Sequence, residues 1–231
     1  MLKAVFLDID NTLLSFDQYV QTAMRDGFVR FGLKPYEDWM FPVFERVNTG
    51  LWQEIEKETL TFERLKQIRW NHIFAELGVE FDGTVFEAYF RDCLFESAIP
   101  EPGAPELLEY LSGKYLLCTA SNGPYLQQVN RLRLAGMEKY FSHIFVSEEV
   151  GAPKPSGDFF KICFERLHGS GYPDLLPEES IMIGDSLTSD IRGGIDYGMK
   201  TCFYNRKKKE IPAGFLIDYQ VSSLDEICRF L

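Results

Sequence analysis

The chain has 231 residues, of which 45% are hydrophobic and 26% are charged, and its formal net charge is −11. This length and composition allow a large hydrophobic core in one domain or two. The acidic balance argues against a surface that binds a polyanion such as nucleic acid, but a small phosphorylated ligand stays compatible because a metal ion and one or two cations can reverse the local field.

The sequence carries no signal for export or membrane insertion. Lys3 is followed by only a short apolar stretch that ends in acidic residues, which is not the pattern of a signal peptide. No apolar run approaches the roughly 20 residues that span a bilayer. The five cysteines are scattered and odd in number, so reduced thiols are expected. We therefore expect a cytoplasmic protein with no membrane partner.

The chain begins with a predicted buried strand from Lys3 to Leu7, and this strand is followed directly by Asp8-Ile9-Asp10. Two carboxylates at i and i+2, at the carboxyl end of a parallel strand, provide a place for a divalent metal and a nucleophile. Acidic turns after strands are common, so this pair needs support from the rest of the chain. The hydroxyl of Thr12 either orients this loop or caps the turn.

The segment that follows has helical spacing of its apolar residues and no strand pattern. One helix is predicted to begin after Thr61, as N-cap, and to end at Gly78. Prolines near residue 100 break any helix there. We therefore predict an all-helical domain over residues 16–97, inserted after the first strand of an α/β domain that is formed by residues 1–15 and 98–231.

From Ser112 onward, short apolar strands alternate with helical segments. The predicted strands are 115–119, 144–147, 180–183 and 201–204, and the predicted helices are 125–134, 158–167 and 190–197. This βαβ rhythm is typical of a parallel sheet that is covered by helices on both faces. The predicted fold class is therefore α/β, with a Rossmann-like parallel sheet.

A hydroxyl follows the second of these strands, in Ser121-Asn122-Gly123. A hydroxyl and adjacent backbone N–H groups at a strand-to-helix turn suit a phosphoryl oxygen. A plain Asn/Gly loop is the alternative, and the position of the motif after a domain-sized insertion favours the functional interpretation. Thr119 is the competing hydroxyl, but we expect it to point into the sheet.

Two further motifs lie closer to the C-terminus. Lys154 lies between two prolines, in a rigid loop that can place one ammonium group against an anion. Strand 180–183 ends in Gly184-Asp185, and Asp190 follows at the start of a helix, where it can also act as an N-cap. Hard oxygen ligands with no histidine or cysteine placed among them favour Mg²⁺.

This ordered set of motifs resembles the haloacid dehalogenase (HAD) superfamily, and specifically its phosphatases. The resemblance extends from Lys3 to about Tyr204 and implies that the helical insertion is a cap on an HAD core. It implies that Asp8 is the nucleophile, which forms an aspartyl-phosphate. Asp10 would then first protonate the leaving oxygen and afterwards activate the water that hydrolyses the intermediate. A dehalogenase needs no such second acid, so Asp10 disfavours that activity.

The resemblance also implies roles for the remaining motif residues. The phosphoryl group would be bound by Ser121, Asn122 and Lys154, of which Ser121 and Lys154 are also predicted to be catalytic. Mg²⁺ would be bound by Asp8, Asp10 through its main-chain carbonyl, Asp185 and Asp190. Asp190 would act directly or through water and Lys154.

The predicted cap has a second resemblance, to one subgroup of these phosphatases. The segment Gly50-Leu51-Trp52-Gln53-Glu54-Ile55-Glu56, together with Ser-Asn-Gly-Pro in the core, is similar to bacterial pyrimidine 5′-nucleotidases of the YjjG type. In the cap, aromatic side chains either stack a nucleobase or pack in the core, and packing is favoured for each of them: Phe16, Tyr19, Phe44 and Trp52.

These resemblances imply an Mg²⁺-dependent phosphomonoesterase that acts on a small phosphorylated substrate, a pyrimidine nucleoside 5′-monophosphate. The first alternative is an HAD phosphatase of phosphosugars or other small phosphorylated metabolites. A mutase resembling β-phosphoglucomutase and a non-catalytic binding protein follow, and the intact motifs argue against the latter. A monomer or weak homodimer is expected.

Overall fold

The computed structural model describes all 231 residues of the chain. The chain divides into two compact units, of which one comprises Met1–Ser15 with Ala98–Leu231 and the other comprises Phe16–Ser97. The first unit is α/β and the second is entirely helical. No helix in either unit is both long enough and apolar enough to cross a membrane.

The α/β unit is built on a six-stranded sheet in which every pair of neighbouring strands is parallel. Its strands are β1 (Ala4–Leu7), β2 (Leu116–Ser121), β3 (His143–Val146), β4 (Ser180–Gly184), β5 (Lys200–Tyr204) and β6 (Tyr219–Val221). Their order in the sheet is β3-β2-β1-β4-β5-β6. The prediction of a Rossmann-like parallel sheet is therefore confirmed.

Strand β1 lies at the centre of the sheet, between β2 and β4. Its side chains alternate between two hydrophobic clusters: Val5 and Leu7 join one cluster, whereas Ala4 and Phe6 join the other. Because both faces are covered, the strand reads as one continuous apolar run. The chain passes from β1 to β2 and β3 on one side and then crosses to β4, so β1 marks the point where the strand order reverses. Ligands of open α/β sheets bind outside the carboxyl ends of the strands at such a point.

The helical unit contains α1 (Phe16–Arg30), α2 (Met40–Glu56), α3 (Phe62–Leu77) and α4 (Gly83–Phe95). The predicted ends of α3 are confirmed: the Thr61 side chain accepts a hydrogen bond from the Arg64 N–H, and Gly78 has a left-handed conformation with φ of 64°. Side-chain capping and a left-handed glycine satisfy backbone groups that the helix itself leaves unpaired.

Aromatic side chains form the centre of the helical unit. The Trp70 ring lies 4.3 Å from the Phe86 ring and 5.4 Å from the Phe44 ring. The Tyr19 hydroxyl donates a hydrogen bond to the carbonyl of Phe90. Phe44 and Tyr19 therefore pack in the core of this unit, as the packing interpretation expects.

The helices of the α/β unit are α5 (Ala104–Ser112), α6 (Tyr125–Leu134), α7 (Ser147–Val150), α8 (Gly157–Gly169), a π-helix (Leu187–Ile191) and α9 (Arg192–Asp196). Short 3₁₀ turns occupy Glu138–Tyr140, Pro177–Glu179 and Leu224–Arg229. The structure differs from the sequence prediction in three respects. A π-helix replaces the first part of the predicted helix 190–197, the sheet has the additional strand β6, and helices α5 and α7 were not predicted.

Candidate active site

Three adjacent strands place polar side chains at one edge of the sheet. Asp8 follows β1, Ser121 is the last residue of β2, and Asp185 follows β4. The three strands are parallel neighbours, so their carboxyl ends lie side by side. This edge is also where the strand order reverses, which is the usual ligand position in this architecture.

Asp8, Asp185 and Asp190 form an acidic cluster in which one carboxylate oxygen from each residue lies within 4.8 Å of the others. Asp8 and Asp190 are buried, and Asp185 is half-buried. Carboxylate oxygens at this spacing are the hard ligands that Mg²⁺ and Ca²⁺ prefer. The residues therefore fit a divalent cation, and no imidazole or thiol joins the cluster.

Lys154 contributes a buried ammonium group to the same cluster. Its Nζ lies 2.9 Å from Asp8 Oδ1 and 2.5 Å from Asp190 Oδ1, and it also donates a hydrogen bond to the carbonyl of Ala120. When all three carboxylates are ionised, one ammonium against three negative charges leaves an excess of two negative charges. This excess matches the charge of a divalent cation.

The electrostatics of this cluster follow from burial and from the neighbouring charges. Burial raises the pKa of the Asp8 carboxyl well above its usual range, with the Lys154 charge opposing this rise and the Asp190 and Asp185 charges adding to it. Burial lowers the pKa of Lys154, but the charges of Asp190 and Asp8 outweigh burial and raise it overall. Lys154 is therefore a permanent cation at this site.

The Lys154 loop is anchored by Asn122. The Asn122 side chain donates to the Lys154 carbonyl at 2.9 Å and accepts from the Lys154 N–H at 2.8 Å. Both ends of this amide are thus engaged by backbone. The Asn122 side chain therefore holds the backbone of Lys154 in place, and the contact of Asn122 with a phosphoryl group stays a prediction.

Asp190 reaches the acidic cluster from the π-helix. Asp190 Oδ2 accepts a hydrogen bond from the Ser186 N–H at 3.0 Å, which ties the carboxylate to the start of its own turn. Gly184 permits this approach, because a Cβ atom built there would lie 2.1 Å from Asp190 Oδ2. Wide π turns often occur at functional sites.

Asp10 lies beside this cluster, and helix α6 determines where its carboxylate points. Arg131 Nη1 lies 2.6 Å from Asp10 Oδ1, and Gln128 Nε2 lies 2.8 Å from Asp10 Oδ2. Neither Arg131 nor Gln128 was among the residues predicted from the sequence. The sequence does contain one signal for them. Gln128 and Arg131 lie three residues apart on helix α6, and this spacing places both side chains on one face of the helix.

The competing hydroxyls have different environments. The Thr119 hydroxyl donates to the carbonyl of Phe145 at 3.1 Å, inside the sheet, whereas the Ser121 hydroxyl accepts from Gln128 Nε2 at 3.0 Å near the strand end. Thr12 is fully buried and its hydroxyl has no hydrogen-bond partner, so it does not cap the turn. Ser121 is thus the hydroxyl that lies among the residues of the candidate site.

Comparison with known proteins agrees with this fold. The family model of the haloacid dehalogenase-like hydrolases matches residues 2–198. The chain therefore belongs to the haloacid dehalogenase-like hydrolases. The predictions of this family and of an enzyme of the hydrolase class are confirmed.

Relatives that match nearly the whole chain at 30% identity or more include the following three. The HAD-hydrolase YfnB of Bacillus subtilis is 31% identical over 99% of this chain and 95% of its own length. Its crystal structure, bound to magnesium, superimposes with a TM-score of 0.89 and covers 99% of this chain and 97% of that one. The pyrimidine 5′-nucleotidase YjjG of Escherichia coli is 34% identical over 98% of this chain and 96% of its own length. The pyrimidine 5′-nucleotidase PynA of Streptococcus pneumoniae is 30% identical over 97% of this chain and 93% of its own length.

Proposed function

We propose that this hydrolase is an Mg²⁺-dependent phosphomonoesterase that acts on pyrimidine nucleoside 5′-monophosphates through an aspartyl-phosphate. The observation that carries the proposal is the cluster of Asp8, Asp185 and Asp190 around the Lys154 ammonium, with Asp10 two residues after Asp8. This cluster combines a carboxylate nucleophile, positive charge for phosphoryl oxygens and a second carboxyl group for proton transfer, which are the parts that phosphoryl transfer needs.

In the first half-reaction, an Asp8 carboxylate oxygen attacks phosphorus and forms the aspartyl-phosphate bond. The bond between phosphorus and the nucleoside oxygen breaks, and its electron pair stays on that oxygen. Asp10 supplies the proton that converts this oxygen to a hydroxyl. Lys154 stabilises the charge on the transferring group, together with the Ser121 hydroxyl and the Asn122 main-chain N–H.

In the second half-reaction, water attacks the phosphorus of the aspartyl-phosphate. Asp10, now ionised, takes the proton of that water, and the electron pair of the breaking bond returns to the Asp8 carboxylate. Inorganic phosphate is released, and both aspartates regain their starting states. One acid/base residue thus serves both steps in opposite directions.

The acidic cluster provides the ligands for Mg²⁺ in this proposal. Asp8, Asp185 and Asp190 would bind it with their carboxylates, directly or through water, and Asp10 with its main-chain carbonyl. A bound divalent cation supplies charge neutralisation for the phosphoryl oxygens and the nucleophile.

The substrate class rests on the relatives and on the helical unit. Two nearly full-length relatives, at 34% and 30% identity, are pyrimidine 5′-nucleotidases. We assign the helical unit Phe16–Ser97 as the cap that selects the substrate. Trp52 and Phe16 are its half-buried aromatic candidates for stacking on a base, since stacking contributes roughly 1–3 kcal/mol per base.

The test is phosphate release from a panel of nucleoside monophosphates, phosphosugars and small phosphate esters, with Mg²⁺ and with EDTA. The proposal expects selective hydrolysis of pyrimidine nucleotides that is lost in EDTA. Activity confined to sugar or small-acid phosphates would contradict the proposed substrate class, but it would still agree with the proposed phosphomonoesterase reaction. A requirement for a bisphosphate activator would indicate a mutase, and tight ligand binding without any turnover would indicate a binding protein.

A further inference from the structure

The carboxylate of Asp10 is bound on both of its oxygens by side chains of helix α6. Arg131 Nη1 donates to Oδ1 at 2.6 Å, and Gln128 Nε2 donates to Oδ2 at 2.8 Å. All three residues belong to the same compact unit. The Asp10 side chain is 29% exposed, so without these contacts its carboxyl group is free to rotate toward solvent.

Gln128 also connects Asp10 to the hydroxyl of Ser121. Its Nε2 donates to Ser121 Oγ at 3.0 Å, and its Oε1 accepts from Arg131 Nη1 at 2.9 Å. The four side chains form one continuous network in the order Ser121, Gln128, Asp10, Arg131. The network therefore fixes Asp10 relative to Ser121, which binds the phosphoryl group in the proposed function.

The two α6 side chains are themselves immobilised. Gln128 is fully buried and Arg131 is 1% exposed. A buried guanidinium is unfavourable unless charged and hydrogen-bonding partners compensate for its lost hydration. Because Asp10 is the carboxylate bonded to it, any rotation of Asp10 away from Arg131 breaks a short, charge-assisted hydrogen bond. The buried side chains of Gln128 and Arg131 thus restrict the rotation of the partly exposed Asp10 carboxyl group.

We propose that Arg131 and Gln128 are positioning residues for the acid/base Asp10. They orient its carboxyl group beside Ser121, so that the proton reaches the leaving oxygen without a search over side-chain rotamers. This inference rests on the proposed function, because it assigns Asp10 the proton-transfer step. Neither residue touches the substrate in this scheme, and both act through Asp10.

The experiment varies how much the leaving group needs a proton. Values of kcat/KM, which report the steps up to formation of the aspartyl-phosphate, are measured for p-nitrophenyl phosphate, phenyl phosphate and the preferred nucleotide. The p-nitrophenolate ion leaves without protonation, whereas phenolate and a nucleoside alkoxide benefit from it. The variants are Arg131→Met and Gln128→Met, which remove the donors; methionine matches the length of Gln128 and replaces the aliphatic part of Arg131.

We expect Arg131→Met to lose about 10²-fold in kcat/KM with the nucleotide and less than about threefold with p-nitrophenyl phosphate, because general acid catalysis contributes about 10²-fold or more only where a proton is needed. Phenyl phosphate falls between these two. Arg131→Lys restores part of the loss, since it returns a cation. Gln128→Met shows the same selectivity with a smaller loss.

Arg133→Met is the matched control, because Arg133 is an exposed arginine on the same helix and donates to Asn130 rather than to Asp10. It is expected to match the parent on all three esters. Thermal unfolding of each variant establishes that it is folded. If Arg131→Met does not fold, Gln128→Met decides the question.

An equal loss on all three esters, or no loss on any, would overturn the inference and assign the network a structural role only. That outcome leaves the proposed function intact, because the parent still hydrolyses phosphate esters. If the parent itself hydrolyses none of them with Mg²⁺, the proposed function fails instead. The two failures are therefore distinguished by the parent enzyme.

Discussion

At the scale of single residues, the proposed chemistry depends first on the carboxylate of Asp8. Asp8→Asn keeps the shape of the side chain but removes the nucleophile and one metal ligand. We expect turnover to fall by more than about 10³-fold, since loss of a covalent nucleophile removes the intermediate itself. The measurement is phosphate release, with circular dichroism as the control for folding. A folded Asp8→Asn variant with substantial activity would exclude the covalent mechanism.

Gly184 is a second residue with a testable role, because it leaves room for Asp190. A Cβ atom at position 184 would lie 2.1 Å from Asp190 Oδ2 and 2.7 Å from Asp190 Cβ. In Gly184→Ala the carboxylate must therefore move, and its contact with Lys154 is disturbed. We expect kcat/KM to fall by about 10- to 10²-fold, because a displacement of about 1 Å in a catalytic group costs about that much.

Gly113→Ala is the control for this substitution. Gly113 follows helix α5 with φ of −79°, and a Cβ atom there meets no other atom within 4 Å. It is expected to leave kcat/KM unchanged. If the two alanine variants had equal activity, the close packing of Gly184 against Asp190 would have no functional importance.

At the scale of secondary-structure elements, a buried ion pair joins α3 to α4 in the helical unit. Arg69 Nη2 lies 2.6 Å from Glu87 Oε1, Arg69 Nε lies 3.0 Å from Glu87 Oε2, and Asn48 accepts from the third nitrogen at 3.0 Å. Both charged side chains are at most 5% exposed. Each of the three guanidinium nitrogens therefore donates to one of these two partners.

Glu87→Leu leaves the Arg69 charge buried without its carboxylate. We expect the free energy of unfolding of the helical unit to fall by about 3–5 kcal/mol, the usual cost of removing one partner of a buried pair. Glu76→Leu is the matched control, because its pair with Arg46 is solvent-exposed and such pairs contribute little to stability. Urea denaturation of both variants measures the difference, and equal losses would contradict the assignment.

At the scale of the whole molecule, the hydrophobic cores divide the cysteines into two classes. Cys118, Cys163 and Cys202 are fully buried, whereas Cys93 and Cys228 are half-buried. Burial raises the pKa of Cys202 to about 12 and raises those of Cys118 and Cys163 above the usual range. The reactive thiolate is therefore scarce at these three positions.

We expect iodoacetamide at about pH 8 to modify Cys93 and Cys228 of the folded protein and to spare the other three, because a thiol with a raised pKa stays protonated there. Mass spectrometry of the peptides measures the modification. The control is the same reaction in denaturant, where all five cysteines should react. Rapid native modification of Cys202 would show that its burial is incomplete.

Metal binding should stabilise the α/β unit, because the acidic cluster assembles only when β1, β4 and the π-helix are in place. At a concentration of 100 times its Kd, Mg²⁺ should add about 2.7 kcal/mol to the free energy of unfolding. Thermal unfolding with Mg²⁺ and with EDTA measures this. Asp185→Asn should remove most of the difference, whereas Asp174→Asn, at an exposed position away from the cluster, should keep it. An equal response of the two variants would contradict the site.

The sequence by itself determined the parallel sheet, the position of its motifs at strand ends and the ends of helix α3. These features depend on local signals: continuous apolar runs, a capping threonine and a glycine with positive φ. Motif residues such as Asp8 and Lys154 were recognisable because each lies directly after a strand or between prolines. Membership of the family follows from the same local motifs in order.

The tertiary structure alone decided which side chains meet. Strand β6 has only three residues, so its pairing with β5, rather than its own pattern, makes it a strand. Likewise, Arg131 and Gln128 look like ordinary polar residues of a helix in the sequence, and only the packing of α6 within the α/β unit brings them to Asp10. Local sequence specifies periodicity and strand ends, whereas contacts between residues more than 100 positions apart depend on how the elements pack.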